Sequence, residues 1–453
     1  MIEKVVARLM RLGPLGGWDQ QVTSTFLLRG WSIVAGVVMV LFIPTWLGKV
    51  EQGYYYTFAS LLALQIFFEL GMSQVVVLQV SRNAAQVTIS DAGVLGGDTN
   101  RLNYLAALVR LLRRWYAAGG VLFFFLVGTA GLLFFSTHGH LPMAEWCGAW
   151  LLVTLGTAIN LALSVNLAVL EGYGDVASVA RMRVSQSIIG SAVMWVAFSL
   201  GASLWSVSIV PLVGAAYTYY WLSEHGILIR LLHKHAKVRG VLTIINWRAD
   251  IFPLQWRIAV SWISGYFIFQ LFTPLAFANL GPIEAGRLGI SMTVFGALLN
   301  IGMSWVSAKV PAMSAFVALN ERDKLNELFK TMLKHSMLFT CAASLMILLI
   351  VFAMTWLKID LALRFVSLRV AGILALIAII NCFIFSAAAY MRAHNEEPMM
   401  LPSVISGVAT LMAVVIGSRF SVDFMMMLYL LIGIFIGLPW TTLLFFKYYK
   451  RVV

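Results

Sequence analysis

Apolar residues run in blocks along almost the whole chain, separated by short stretches that gather Lys, Arg, Asn and Gly. Each block is long enough for a helix to cross a hydrocarbon core of about 30 Å. Twelve spans are predicted, at 25–47, 54–80, 116–136, 147–170, 182–202, 205–228, 253–278, 288–312, 336–356, 369–391, 399–418 and 424–446. A membrane β-barrel would instead alternate apolar and polar residues in strands of about ten. Residues 1–23 are too polar for a secretory signal. There Val5, Val6, Leu9 and Leu12 recur at helical spacing opposite Lys4, Arg8 and Arg11, which predicts an amphipathic segment lying on the membrane surface. The linker at 229–252 divides the spans into an N-terminal six-helix bundle over 24–228 and a C-terminal one over 253–446, followed by a basic tail at 447–453.

The two groups share a pattern. Glu51-Gln52-Gly53 opens the second span, and Glu284-Ala285-Gly286 repeats it 233 positions later. Gly71-Met72-Ser73 and Gly302-Met303-Ser304 repeat at an offset of 231. Both groups also carry a long polar segment after their second span. In the first, Asp98-Thr99 can cap a helix whose Leu102, Leu105, Ala106, Val109 and Leu112 lie along one side. In the second, Leu325, Leu328, Phe329 and Met332 fall on one face of 320–334. An internal duplication accounts for all three matches. Six spans per copy, an even number, give both copies one orientation, so a parallel repeat about the membrane normal is expected. The expected fold class is an all-α polytopic membrane protein of about 12 transmembrane helices in two such bundles.

Composition agrees with the pattern and adds orientation. The chain is 61% hydrophobic and 11% charged, where soluble proteins carry about 25% charged residues; its mean hydropathy is +0.89. The net charge of +13 suggests nucleic acid only until its placement is examined. With the N-terminus inside, 25 Lys and Arg fall in cytoplasmic segments against six outside, the bias that sets membrane topology. Both termini are therefore expected in the cytoplasm, with no nucleic-acid partner. Cys147, Cys341 and Cys382 lie far apart in apolar blocks, and the seven histidines sit in or beside loops. No metal or cofactor site is expected. ISDAGVLGGDTN lacks the Lys-Ser/Thr of a phosphate-binding loop and reads as a flexible loop.

Ionisable residues inside spans are costly and carry the functional hypotheses. Arg29 and Arg257 enter the first and seventh spans from the cytoplasmic side, 228 positions apart. As counterparts they would form a cationic mouth whose guanidinium forks suit phosphate oxygens. Alternatively, each snorkels to the headgroups and anchors its helix. Gln65, Glu69 and Ser73, spaced by four, form a polar stripe on the second span; Asn300, Ser304 and Ser307 continue one on the eighth. Glu69 can carry a coupling proton or cation, pair with an Arg, or hydrogen-bond as a neutral acid between helices. Gly71 and Gly302 read as close-contact positions, Lys309 as a snorkelling side chain, and Pro274 and Pro402 as places where a helix can bend.

With the two six-helix halves, the E-x-G-Y-Y opening, the F-E-L-G-M-S inside the second span and the E-A-G-R-L-G of the eighth, the chain resembles the polysaccharide transporters of the MOP superfamily. Within them it looks like the O-antigen flippase branch. That resemblance implies movement of an undecaprenyl-pyrophosphate-linked oligosaccharide from the inner to the outer leaflet of a bacterial inner membrane. It implies two bundles alternating between V shapes open to either side, driven by an ion gradient of H+ or Na+. The first, second, seventh and eighth helices line the cleft in that family. Arg29, Arg257, Gln65, Asn300 and Ser304 are then expected to bind substrate and Glu69 to couple the ion. The implied partners are the lipid-linked oligosaccharide, membrane lipids and the polysaccharide polymerisation machinery. Drug/cation antiporters of the same superfamily are the competing reading, but they rely on cleft carboxylates, and here two Arg face one Glu. A polymerase or glycosyltransferase would need a sizeable outer loop with catalytic residues; the longest here, 357–368, holds Lys358, Asp360 and Arg364. No enzymatic activity is expected.

Overall fold

A computed structural model describes residues 20–84, 87–89, 95–238, 245–394 and 396–450. The amphipathic segment expected at 1–23 lies almost wholly outside the described residues. The chain is an all-α polytopic membrane fold, and each of the twelve expected spans falls on a helix or a broken helix. Eight helices among the described residues are long and apolar enough to cross a bilayer, or nine with Lys49–Glu69 and Met72–Ala84 counted as one bent span.

In chain order the elements begin with α1 (Gln20–Trp46) and α2 (Lys49–Leu62). A 3-10 turn (Ala63–Gln65), α3 (Ile66–Glu69) and α4 (Met72–Ala84) complete the second span. Strands β1 (Val87–Ile89) and β2 (Leu95–Gly97) then pair antiparallel, Val87 opposite Gly97. The piece read as a flexible loop, 89–100, thus contributes Ile89 to β1 and the whole of β2. Helix α5 (Thr99–His138) follows, with α6 (Met143–Tyr173), α7 (Val176–Ser199), α8 (Trp205–His225) and α9 (Ile227–Val238). The seventh span comprises α10 (Phe252–Phe269) and α11 (Phe272–Leu280), and the eighth α12 (Pro282–Gly302) and α13 (Ser304–Ala318). The last helices are α14 (Arg322–Trp356), α15 (Leu368–Arg392), α16 (Met400–Gly417), α17 (Val422–Ile432) and α18 (Leu438–Tyr449).

The polar segments after the second and eighth spans differ from expectation in one respect. Each is continuous with the next span, giving α5 40 residues and α14 35. In α14 no Pro or Gly separates the amphipathic part from the apolar part, and in α5 the pair Gly119-Gly120 is carried within the helix without breaking it. Asp98 caps α5 through Oδ1, which accepts from the Asn100 amide at 2.8 Å. The predicted apolar face is buried at Leu102, Leu105, Ala106, Val109 and Leu112, and in α14 at Leu325 and Phe329.

Prolines place two other features. Pro274 follows a break at residues 270–271, because it has no N–H for the carbonyl four residues earlier. Pro402 sits in the first turn of α16, where that N–H has no helical partner in any case, so it bends nothing.

The helices form two compact units. The first contains α1, Leu62–Thr137 and Leu141–Trp262; the second contains Leu47–Leu61, His138–His140 and the chain from Ile263 on. The first half of the second span therefore belongs to the second unit, and the opening part of the seventh span to the first. In the first unit, α5 and α6 approach where Gly131 faces Trp150; a Cβ on Gly131 would lie 2.2 Å from the indole. Fully buried Trp150 donates its Nε1–H to the Gly128 carbonyl at 2.9 Å. Replacing Trp150 by Phe keeps most of the ring and removes that hydrogen bond, while the carbonyl keeps its helical partner. A loss of about 1–2 kcal/mol is expected, read from thermal unfolding in detergent.

In the second unit, the two Glu-x-Gly copies pack on each other. A Cβ on Gly286 would stand 2.9 Å from the Gly53 nitrogen, and one on Gly53 would stand 2.0 Å from the Pro282 carbonyl oxygen. Next to that crossing, Gln52 is 1% exposed. Its Nε2 donates to the carbonyls of Gly286 at 2.9 Å and Arg364 at 3.1 Å. Arg287 pairs with Glu284 at 2.6 Å and donates to the Leu363 carbonyl at 2.9 Å. Small residues let helix backbones approach inside a membrane, where packing and hydrogen bonds replace the hydrophobic drive.

Candidate functional site

The second span does not cross as one helix. Leu70 and Gly71 both take left-handed conformations, with φ of 50° and 66°. Helices on either side meet at 42°. Leu70 is the telling residue, since a branched side chain rarely adopts positive φ and such strain gathers at functional sites. Glu69 ends α3 immediately before the break, half-buried, and Gln65 ends the 3-10 turn one helical step earlier. Ser73 lies beyond the break, on α4. The stripe expected on one straight helix is therefore interrupted, because a 3-10 turn and a left-handed pair both abandon the 3.6-residue period.

Two helices pack against the break. From α10, Ile258 fills the place where Gly71 lacks a side chain; a Cβ there would lie 2.2 Å from Ile258 Cγ2. Arg257, the residue before it, is exposed and lies over the Trp256 ring at 5.6 Å from its centroid. From α5, Phe123 meets Phe68 edge-on at 5.3 Å. Gly119 of the same helix approaches the Phe68 carbonyl, to which an added Cβ would be 4.0 Å. Trp115 meets Trp247 in a tilted contact at 5.3 Å, tying α5 to the turn that leads into α10. Neither Glu69 nor Arg257 forms an ion pair among the described residues. The first unit thus brings Gln65, Glu69 and Arg257 to helices that share one break, leaving a carboxylate and a guanidinium unpaired.

The other expected site residues fall elsewhere. Arg29 lies on α1, with its side chain outside the described residues. Asn300 and Ser304 belong to the second unit, where the Ser304 hydroxyl donates to the Asn300 carbonyl at 3.1 Å. There the copy of the Gly-Met-Ser motif behaves differently. Met303 keeps a right-handed φ of −70° and the backbone ladder continues from Leu299 through Met303 to Ser307. Gly302 still marks a close approach, since its Cβ would lie 2.4 Å from Thr340 Oγ1. Both glycines serve close contact as expected, but only one stands at a break.

No family model matches the chain, and no curated protein sequence matches it. Solved structures do. The chain is similar to the lipid II flippase MurJ in an inward closed conformation, with a TM-score of 0.64 at 14% identity over 93% of this chain and 86% of that one. It is similar to the MATE multidrug transporter DinF-BH, solved in a ligand complex, with a TM-score of 0.60 at 14% identity over 97% of each chain. An inward-facing multidrug resistance MATE family transporter of the MOP superfamily aligns with a TM-score of 0.59 at 13% identity over 92% and 99%. The fold is that of the MOP transporters.

Within this MOP fold, two buried residues, one in each unit, were not singled out from the sequence. Tyr116 is 2% exposed and lies on α5, the helix whose Phe123 meets Phe68, at the point where polar sequence gives way to apolar. Gln52 occupies the variable position of Glu-x-Gly, a polar residue opening an apolar block, and that signal was available. Nothing in the sequence marks Tyr116, because its neighbours come from a helix distant along the chain.

Proposed function

We propose that the protein is a flippase. It carries an undecaprenyl-pyrophosphate-linked oligosaccharide, the repeat unit of an O-antigen or related surface polysaccharide, across a bacterial inner membrane by alternating access driven by H+ or Na+. The observation that carries the reading is Arg257, an exposed guanidinium without an ion pair among the described residues, next to the residue that packs on the Leu70–Gly71 break. A planar fork of donors at membrane depth suits pyrophosphate oxygens. Arg29 is its proposed counterpart on α1, and Gln65, Asn300 and Ser304 are proposed to meet the sugar. Glu69 is proposed to exchange the coupling ion. The unpaired Glu69 carboxylate also supports a second reading, export of an organic cation.

The two readings separate in a deletion strain complemented at equal expression. Arg29→Ala with Arg257→Ala is expected to lower cell-surface polysaccharide about tenfold, equivalent to about 1.4 kcal/mol of lost phosphate binding. Undiminished surface polymer in the double variant would overturn the flippase reading. Cation resistance that depends on Glu69 but not on either Arg would favour the antiporter.

A further inference from the structure

Tyr116 is buried, and its hydroxyl has no hydrogen-bond partner among the described residues. Buried polar groups are almost always paired, so an exception calls for a reason. The Glu69 carboxylate is near enough to act electrostatically on the Tyr116 phenol. Glu69 in turn has no hydrogen bond or ion pair among the described residues. Tyr116 lies seven residues before Phe123 on α5, and Phe123 touches Phe68, the residue before Glu69; Gly120 between them packs on the Ala158 carbonyl of α6. A buried donor without an acceptor and a carboxylate without a hydrogen bond among the described residues therefore lie on two helices that touch through Phe68 and Phe123, beside a left-handed break.

We propose that the Tyr116 hydroxyl and the Glu69 carboxyl form a proton-controlled latch across the Leu70–Gly71 break. It is closed when the carboxylate accepts the phenol's hydrogen bond and open when Glu69 is protonated. The inference rests on Glu69 as the ion-coupling group of the flippase reading and supplies the means by which its proton reaches the backbone. The proton comes from solvent and adds to the carboxylate; the phenol keeps its own. A carboxylate is a stronger acceptor than a neutral acid, so protonation releases the phenol. Leu70 and Gly71 join α3 to α4 without helical hydrogen-bond continuity, so a change of partner at Glu69 turns α3 against α4. This structure has the open arrangement.

On α5, Arg113 and Arg114 are exposed, and on α10, Arg257 lies over Trp256. On α6, which packs along α4, Glu171 is paired with Arg183 at 3.0 Å. Tyr116 is a positioning residue in this scheme, acting on the ion site through Glu69.

The test is infrared difference spectroscopy between acid and alkaline pH on the full-length protein in lipid nanodiscs. The wild type is expected to show a tyrosine C–O component that changes with pH. Glu69→Gln and Tyr116→Phe should each abolish it, whereas Tyr219→Phe, at a position 69% exposed on α8, should retain it. Thermal melts establish that each variant is folded; if Tyr116→Phe is not, the Glu69→Gln spectrum decides by itself. A pH-dependent tyrosine component that survives Glu69→Gln, or its absence from the wild type, would overturn the latch. The readout needs no substrate. Expected spectral losses beside undiminished surface polymer in the Arg variants would keep the latch and discard the flippase reading, and the reverse would discard the latch alone.

Discussion

Gly53→Val should destabilise the protein by about 3 kcal/mol or more, seen as a large fall in the thermal unfolding midpoint in detergent. The first atom of any side chain at Gly53 would lie 2.0 Å from the Pro282 carbonyl oxygen, 2.6 Å from its carbon and 2.9 Å from its Cα. All three are backbone atoms, so no rotamer change makes room; α2 and α12 must move apart. Separation also breaks the bonds from Gln52 to the Gly286 and Arg364 carbonyls, at 2.9 and 3.1 Å. Leaving a buried polar group unpaired costs about 1–3 kcal/mol. Gly265→Ala is the control, since its Cβ would meet nothing within 4 Å. That change should be neutral or slightly stabilising, because alanine favours helix. Equal losses in the two variants would mean that the Glu-x-Gly crossing has no special role.

Gly71→Ala should have the next largest effect, for two separable reasons. At φ of 66° an L-residue pays about 1–2 kcal/mol for its Cβ. That Cβ would also stand 2.2 Å from Ile258 Cγ2, an atom on a stiff β-branched side chain. A combined loss of about 2–4 kcal/mol is expected in the same melts. Ile258→Ala removes the steric part only. In a double-mutant cycle the Gly71→Ala penalty should therefore fall to the backbone portion when Ile258 is already Ala. Strict additivity would mean that α10 does not press on the break. Gly302→Ala offers a comparison: its Cβ would meet Thr340 Oγ1 at 2.4 Å, but its backbone is right-handed, so the backbone portion should be missing.

The break shows where legibility ends. Leu102, Leu105, Ala106, Val109 and Leu112 were readable as a buried face because burial on a helix repeats every 3.6 residues, whatever covers it. The interruption at Leu70 was not readable, because Leu is a good helix former and no proline stands nearby. Gly71 by itself signalled close contact, which is correct, and its copy Gly302 signalled the same thing where the backbone stays right-handed and its hydrogen bonds continue through Met303. Identical local letters thus adopt two backbones, and what differs is the neighbour: a branched Ile258 at one, the Thr340 hydroxyl at the other. Among the candidate site residues, Gln65 and Glu69 were found because polar groups in apolar blocks stand out. Tyr116 was missed because a tyrosine at the edge of a span is ordinary, and only its unpaired, buried hydroxyl makes it unusual.

By itself the sequence determined the class, the spans and the duplicated motifs. Each of these depends on block length, helical period or residue spacing, and lipid demands that every spanning segment satisfy its backbone internally. Only the tertiary structure decided that the paired Glu-x-Gly copies meet at Gly53 and Gly286, and that the second span divides between two compact units. It also decided that Glu69 ends at a left-handed turn, with Arg257 one residue from the Ile258 side chain packed on it. Such contacts join residues as much as 312 positions apart, as Gln52 with Arg364. They arise from how closely two backbones can approach, a property of the pair that neither local sequence carries.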